Sequence, residues 1–458
     1  MTGICREGPE ARRACMAREG RKRLYFIVAM GCQMNVRDSE TLAGMLEEMG
    51  FSRAGTREDA DLILYLTCCV RENAENKALG NVIWLKELKK IKPDLVICVG
   101  GCMMQVQGVA ESLIARYPFI ALIFGTHNLH RFPELLCRVL EEKRPVAEIL
   151  DGDGDIVEGL PVKRGSAHSA FVNVMYGCDN FCSYCIVPYV RGRERSRSPE
   201  EILREVRGLV EGGTQEVVLL GQNVNSYGGG GNAFAALLRS VHETGIRRIR
   251  FMTSHPKDLS AELIACYGDL PNLAGHLHLP VQAGSDRVLA AMNRRYTREH
   301  YLKLVEKLRG VRPDVGLTTD IIVGFPGETR QDFRETLSLV REVGYDAAFT
   351  FIYSPRAGTR AYGLPDPVSM EEKTEWIEEL IALQREITGR VLKAQIGSCQ
   401  EVLADAPSAR DPGWLGGKTG RGLMVNFPGA PDMIGRFVQV DIGSAGRNTL
   451  RGKVREEG

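Results

Sequence analysis

No uninterrupted apolar stretch in the 458 residues is long enough to span a bilayer, so a membrane-embedded helix is not expected. The first 22 residues are rich in Arg and Glu without an apolar core, and do not read as a secretory leader. An excess of charge of one sign is also missing. The 59 Lys and Arg against 58 Asp and Glu leave a formal net charge of +1, so global electrostatics announce no polyanionic partner. The 13 cysteines are too sparse for a disulfide scaffold. Their use fits a reducing cytoplasm, where grouped cysteines more often bind metal or do chemistry. No pair of CxxC motifs stands apart to build a structural zinc site.

What is present is the composition of a soluble globular chain, 44% hydrophobic and 26% charged. The length suggests about three domains at roughly 100–200 residues each. Residues 1–22, with Cys5 and Cys15, read as a loose extension. From 23 to 142, apolar runs predict strands at Leu24–Met30, Asp61–Leu66, Asp94–Val99 and Ala121–Phe124. These alternate with amphipathic stretches, which implies a small parallel α/β sheet. Residues 143–169, with Asp151-Gly152-Asp153-Gly154, read as a linker.

The alternation resumes over 170–392. Strands are predicted at Phe171–Met175, Glu216–Leu220, Arg248–Met252, His276–Pro280, Leu317–Val323 and Ala347–Tyr353, and a long charged helix from Met370 closes the segment. Six βα units fit a partial, open (β/α)6 barrel, with chemistry at the carboxyl ends of its strands. Residues 393–458 change to short alternating stretches, at Cys399–Ala404, Gly420–Phe427, Gly435–Ile442 and Arg451–Val454. They predict a small β-barrel, either an RNA binder or a generic β-domain.

Cys178, Cys182 and Cys185 form a CxxxCxxC triad just after the first strand of the barrel segment. Thiolates are the usual protein ligands of iron–sulfur clusters. Three cysteines on a four-iron cluster leave one iron open to a substrate or cofactor. Cys32, Cys68 and Cys102 are far apart in sequence, yet each follows a predicted strand of the first domain. In a parallel sheet they converge at the carboxyl edge, where ligands bind. Gly31, Gly100 and Gly101 let backbone approach a bulky ligand. This set suggests a second three-cysteine cluster, with buried core cysteines as the plain alternative. Cys69, Cys98, Cys137, Cys266 and Cys399 lack that context and read as ordinary buried residues.

The triad, with Tyr184 before its last cysteine, resembles the radical S-adenosylmethionine (SAM) signature. Gly31-Cys32-Gln33-Met34-Asn35 with Asp38, Thr67-Cys68-Cys69-Val70-Arg71-Glu72-Asn73, and Gly100-Gly101-Cys102-Met103-Met104-Gln105 resemble the three motifs of the methylthiotransferase family. The resemblance runs from about residue 23 through the C-terminal domain, which looks like a TRAM domain. Gln33-Met34-Asn35, the Ile186–Arg197 stretch, Gly221–Tyr227, Thr253-Ser254-His255-Pro256 and His278–Gln282 look like the family branch that acts on N6-isopentenyladenosine at position 37 of tRNA, beside the anticodon. Leu66 before Thr67 and Ala283 after Gln282 are small departures; the branch acting on a ribosomal protein is the runner-up.

The resemblance implies two [4Fe-4S] clusters. The one on Cys178, Cys182 and Cys185 would cleave SAM to generate a radical; the one on Cys32, Cys68 and Cys102 would supply sulfur, which a separate SAM methylates. It implies SAM contacts at the remaining strand ends, for which Gln222, Asn223, Gln282, Gly327 and Arg356 are candidates, with structural hydrogen bonding, or a simple turn at Gly327, as the alternative. It further implies a tRNA partner, a cellular electron donor, and a cytoplasmic monomer without a membrane attachment. The run Arg191, Arg193, Arg195 and Arg197 is a candidate phosphate surface, as are Arg421, Arg436, Arg447 and Arg451 of the barrel, although such runs are most often solvated faces.

Overall fold

Short apolar runs rich in Leu, Ile, Val and Phe become parallel strands. In the computed structural model the described residues are 22–69, 72–409 and 411–455, with side chains described outside 72–79. Cys5, Cys15 and the extension through residue 21, and Val70 and Arg71 of the second motif, lie outside them. The chain forms two compact units. One comprises residues through Gly165 with Tyr176–Asp179 and Cys185–Arg195; the other comprises Ser166–Met175, Asn180–Tyr184 and Ser196 onward.

The first unit holds a six-stranded sheet in the order β2-β1-β3-β4-β5-β6. Its strands are β1 (Leu24–Ala29), β2 (Ser52–Arg53), β3 (Leu62–Thr67), β4 (Val96–Gly101), β5 (Leu122–Phe124) and β6 (Val146–Glu148). Every pairing is parallel. All six residues of β3 are buried, as expected for a strand covered on both faces. Leu62, Leu64 and Leu66 pack under helices α1 (Gln33–Glu48) and α4 (Phe132–Glu142). Ile63 and Tyr65 point the other way, toward Val82 and Leu85 of α2 (Glu72–Ile91) and Leu113 of α3 (Val109–Arg116). Two strands are additional to the predicted four. β2 is two residues long, and β6 is a three-residue edge inside the expected linker, too short for periodicity to mark.

The second unit carries β7 (Ser169–Asn173), β8 (Glu216–Leu220), β9 (Arg248–Phe251), β10 (His276–His278), β11 (Gly316–Val323) and β12 (Ala347–Ile352). They form two parallel three-stranded sheets, β9-β8-β7 and β10-β11-β12. Ile249 of β9 also forms a parallel bridge with Leu273, in the segment before β10. The six expected strands are present, as two parallel halves of an open barrel. Beyond it, β13 (Cys399–Pro407), β14 (Trp414–Thr419), β15 (Met424–Pro428), β16 (Phe437–Ala445) and β17 (Leu450–Val454) close into a barrel around Val402, Leu415, Phe427 and Val440. The sequence reading lacked β14, whose Gly416-Gly417 breaks the apolar alternation. A Cβ at Gly417 would lie 2.2 Å from the Leu403 carbonyl, so the close pairing with β13 requires glycine there. None of the described helices is long and apolar enough to cross a membrane.

The closing helix, Met370–Lys393, starts in a capping box in which Ser369 and Glu372 satisfy each other's backbone N–H. Its Trp376 stacks on Phe333 of the helix Arg330–Val343, with ring centroids 5.3 Å apart and planes 13° apart, and Arg330 lies over both rings. Trp376→Ala removes this buried stack. We expect a loss of about 3–5 kcal/mol, read as a lower midpoint in denaturant unfolding of the full chain.

β11 ends in the turn Gly324 to Glu328. Glu328 is buried, and its Oε2 accepts the backbone N–H of Gly324 at 2.6 Å and of Phe325 at 3.1 Å. Burial pushes its carboxyl up to about 7 against the pull of those two donors. A carboxyl raised in the fold binds its proton more tightly there than in the unfolded chain. Its linkage term therefore favours folding below the ordinary value of 4.5 and is lost as pH rises toward 7. Glu328→Gln removes this term. Unfolding followed from pH 4.5 to 8 should show a stability difference that moves in favour of Glu328→Gln as pH rises; a constant difference refutes the assignment.

Candidate active site

Three neighbouring strands of the first unit fix the first set of cysteines. β1 pairs with β3 through Ala29–Leu66, and β3 with β4 through Thr67–Gly101, so the three strands end at one level. The residues that follow are Gly31-Cys32, Cys68 and Cys102. Cys32 caps α1, and its carbonyl accepts the N–H groups of Asn35 and Val36. Cys102 opens a short 3-10 turn, Cys102–Gln105. The glycines here make room for neighbouring protein groups. Gly31 has φ +100°, and a Cβ there would lie 2.6 Å from the Cys68 sulfur. Gly101, also at φ +100°, lies against the Thr67 backbone, and Gly100 against the Phe124 ring. Gly31, the residue before Cys32, thereby lies against Cys68.

The charges around this set were not visible in the sequence. Arg191, at the end of the five-residue helix Val187–Arg191, is buried in the same unit. Its Nε donates to Cys102 Sγ at 3.0 Å, and its Nη2 donates to Asn35 Oδ1 at 3.1 Å and Asp38 Oδ2 at 2.9 Å. Asn35 Nδ2 in turn donates to the carbonyls of Met30 and Thr67, the residues before Gly31-Cys32 and before Cys68. The neighbouring Cys69 thiol and the Arg191 guanidinium draw the Cys102 thiol down to about 6, against burial. Burial, reinforced by Cys102, pushes Cys32 up. Cys69 is thus a direct neighbour of the set, although it read as an ordinary buried residue.

The arginine run does not form an open basic face. Arg193 is paired with Asp179 on the surface, Arg195 donates to the carbonyls of Gly154 and Arg191, and buried Arg197 pairs with Glu205. Barrel residues Arg421 and Arg451 are likewise engaged, with Asp346 and Asp411, whereas Arg436 and Arg447 are exposed.

Each unit carries part of the CxxxCxxC loop. In the first, Gly177 has φ +78° and passes so close to the Arg193 carbonyl that a Cβ would lie 1.9 Å from it; the Cys178 N–H donates to the Gly192 carbonyl. Ile186 and Val190, following Cys185, pack into the core that also holds Cys102, Met103 and Met104. In the second unit, Phe181 has φ +45°, a conformation side chains rarely adopt. Asn293 holds it by donating to the Phe181 and Asn180 carbonyls, while Ser183 bonds to the carbonyls of Ala291 and Met292. Buried Arg294 places Nη1 3.4 Å from Cys182 Sγ and Nη2 2.7 Å from the Pro280 carbonyl. Cys178 and Cys182 are buried and Cys185 is half-buried. Among the described residues no three His, Cys, Asp or Glu side chains sit close enough to hold a single metal ion. Thiolates on separate irons of a bulky cluster need not meet that closely.

The carboxyl ends of the barrel strands hold buried polar atoms with no hydrogen-bond partner among the described residues: Asn223 Oδ1, Ser254 Oγ, His255 Nε2 and Glu328 Oε1. Such atoms are costly unless a ligand engages them. Nδ1 of His255 accepts the Lys257 N–H, which leaves the proton on Nε2, and burial keeps the ring neutral. This side of the second unit therefore presents buried donors and acceptors that a polar ligand could engage. Of the expected contacts, Asn223 is among them and donates its Nδ2 to Asp258. Half-buried Gln222 lies beside it. Gln282 is buried at φ +71° and bridged to Ile321. Gly327 has φ +80° with open space where a Cβ would stand, and its carbonyl accepts from Arg287. Arg356 is half-buried, its carbonyl accepting from Thr359. Ser254 and His255 belong to the Thr253-Ser254-His255-Pro256 stretch. His276 and His278 both engage the Thr318 hydroxyl.

Comparison with known proteins agrees with this layout. Residues 24–125 match the uncharacterized protein family UPF0004, residues 172–340 the radical SAM superfamily, and residues 393–454 the TRAM domain. Among solved structures, the radical S-adenosylmethionine methyltransferase TsrM from Kitasatospora setae has a TM-score of 0.55 over 75% of this chain and 77% of its own, at 16% identity, which supports the fold alone. Among curated proteins, the tRNA-2-methylthio-N(6)-dimethylallyladenosine synthase of Clostridium beijerinckii is 50% identical over 95% of this chain and 96% of its own. The enzyme of the same name from Clostridium perfringens is 51% identical over 95% and 98%, and that from a Thermoanaerobacter species 50% identical over 96% and 94%. With half of its residues shared over nearly its whole length, the chain belongs to the family of the tRNA-2-methylthio-N(6)-dimethylallyladenosine synthases.

Proposed function

We propose that this chain adds a methylthio group to carbon 2 of N6-isopentenyladenosine in tRNA, beside the anticodon, using two [4Fe-4S] clusters and SAM. The main support is the identity of about one residue in two with synthases of that name, over nearly the full length of both chains. The residue assignments rest on placement. We read 23–142 as the sulfur-supplying module, with Cys32, Cys68 and Cys102 as ligands at one sheet edge. We read 170–392 as the radical-generating core, with Cys178, Cys182 and Cys185 as ligands, and 393–458 as the RNA-facing barrel. Bound there, the clusters and SAM supply the radical, the sulfur and the methyl group.

The chain's own residues would bind, orient and exclude water. Asn223, Ser254, His255 and Glu328 offer fixed polar atoms to SAM, with Gln222, Gln282, Gly327 and Arg356 as further contacts at the strand ends. A neutral His255 donates without bringing charge. The parallel sheet of the first unit ends β1, β3 and β4 at one level, and a four-iron cluster held by the three thiols that follow would have one iron without a cysteine. The exposed Arg436 and Arg447 are the barrel's candidates for phosphate. The same reading has the chain acting in the cytoplasm as a monomer that takes its electrons from a cellular donor.

Nucleoside mass spectrometry of tRNA from a strain lacking this gene tests the substrate. The methylthiolated isopentenyladenosine should vanish and return with the intact gene, and its persistence in the deletion strain refutes the substrate. Alanine at any of the six cysteines should leave a soluble chain and abolish that product. Full methylthiolation by Cys68→Ala sinks the sulfur-supplying assignment.

A further inference from the structure

Arg191 is buried, yet it belongs to a run of arginines that sequence alone places at the surface. Its guanidinium has the Cys102 sulfur on one side and Asp38 and Asn35 on the other, at 3.0, 2.9 and 3.1 Å. A buried guanidinium is tolerated only with partners that satisfy its charge and its donors. Asn35 extends the network, because it also donates to the Met30 and Thr67 carbonyls. One hydrogen-bonded group therefore touches all three cysteine loops and places its cationic end against a sulfur.

We propose that Arg191 is a positioning residue for the sulfur-supplying cluster: braced by Asp38 and Asn35, it holds the Cys102 sulfur by a charge-assisted N–H···S contact and raises the reduction potential of the cluster ligated there. The proposal rests on the reading of Cys32, Cys68 and Cys102 as ligands. The physical basis is general. Three thiolates bring negative charge into a buried site, and reduction adds one more. A cation and a donor at a ligand sulfur stabilise the reduced form more than the oxidised form, and such contacts are among the levers that set cluster potentials. Asp38 works in the opposite sense by offsetting part of the arginine's charge. Its helix Gln33–Glu48 and the helix Val187–Arg191 keep the two side chains in place.

The test uses the full chain with Cys178, Cys182 and Cys185 replaced by alanine, loaded anaerobically with iron and sulfide. Iron and sulfide per chain and an EPR-monitored redox titration are the readouts. Arg191→Gln should shift the reduction equilibrium about tenfold toward the oxidised form, a midpoint lower by about 59 mV for one electron. Arg191→Lys keeps the charge without the planar fork and should keep its iron and shift less in the same direction. Asp38→Asn should shift the midpoint upward. A purely structural role predicts loss of iron or shifts of one sign in all three. An unchanged midpoint in iron-loaded Arg191→Gln overturns the proposal, as does an Arg191→Lys midpoint at or above that of the parent. If the parent with intact Arg191 takes up no iron, the ligand reading itself fails.

Discussion

The in-register parallel pairing of β1, β3 and β4 is the constraint on which the cysteine chemistry depends. Parallel strands share a direction, so their carboxyl ends lie on one edge, and the pairs Ala29–Leu66 and Thr67–Gly101 set those ends level. A shift of one residue in either pair would carry a cysteine to the opposite face. The register is defended by burial: β3 has every residue covered, with Leu62, Leu64 and Leu66 committed to one core and Ile63 and Tyr65 to the other. Positions Gly31 and Gly101 follow from the same constraint, because loops this close leave no room for a side chain facing Cys68 or the Thr67 backbone.

Bringing thiols together in a buried place raises an electrostatic problem, and buried arginines address it in each unit. Arg191 lies against Cys102 in the first, and Arg294 against Cys182 in the second. The two are satisfied differently. Arg191 has a carboxylate, Asp38, behind it; Arg294 leans on neutral oxygens, the Pro280 carbonyl and the Tyr296 hydroxyl. The cationic end of Arg191 is therefore partly offset, whereas the hydrogen bonds of Arg294 go to the Pro280 carbonyl, the Tyr296 and Tyr184 hydroxyls and the Cys182 sulfur. A run of basic residues adjoining a cysteine motif thus serves two needs, ligand charge and surface pairing, and only geometry separates Arg191 from Arg193.

The strand count of the central segment and the level placement of Cys32, Cys68 and Cys102 were legible in the sequence, because apolar runs followed by cysteine at the same offset carry both facts. β6 and β14 were not. The first is three residues long, and the second is interrupted by glycines that its pairing demands. The burial of Arg191 was also illegible. Its partners Asn35 and Asp38 sit more than 150 residues earlier, and nothing local distinguishes a buried arginine from its solvated neighbours. Phe181 could not be anticipated either, since a bulky residue is the last expected at positive φ; the Asn293 amide that holds it lies 112 residues away.

The unpartnered polar atoms of the second unit complete the physical picture. A buried donor or acceptor left without a partner costs on the order of 1–3 kcal/mol. Four of them, among the described residues, lie at strand ends of the second unit. Asn223 follows β8, Ser254 and His255 follow β9, and Glu328 follows β11, so these four lie at carboxyl ends, whereas Gln384 Oε1 lies in the closing helix. Three of the four are also held by further hydrogen bonds. Asn225 bonds both backbone groups of His255, Asp258 fixes the Asn223 amide, and two backbone N–H groups fix Glu328. Side chains fixed at one end and unsatisfied at the other are preorganised for a polar ligand, because the cost of ordering them has already been met in folding. A polar ligand that engages these atoms in the folded chain alone adds its binding free energy to the stability of the fold.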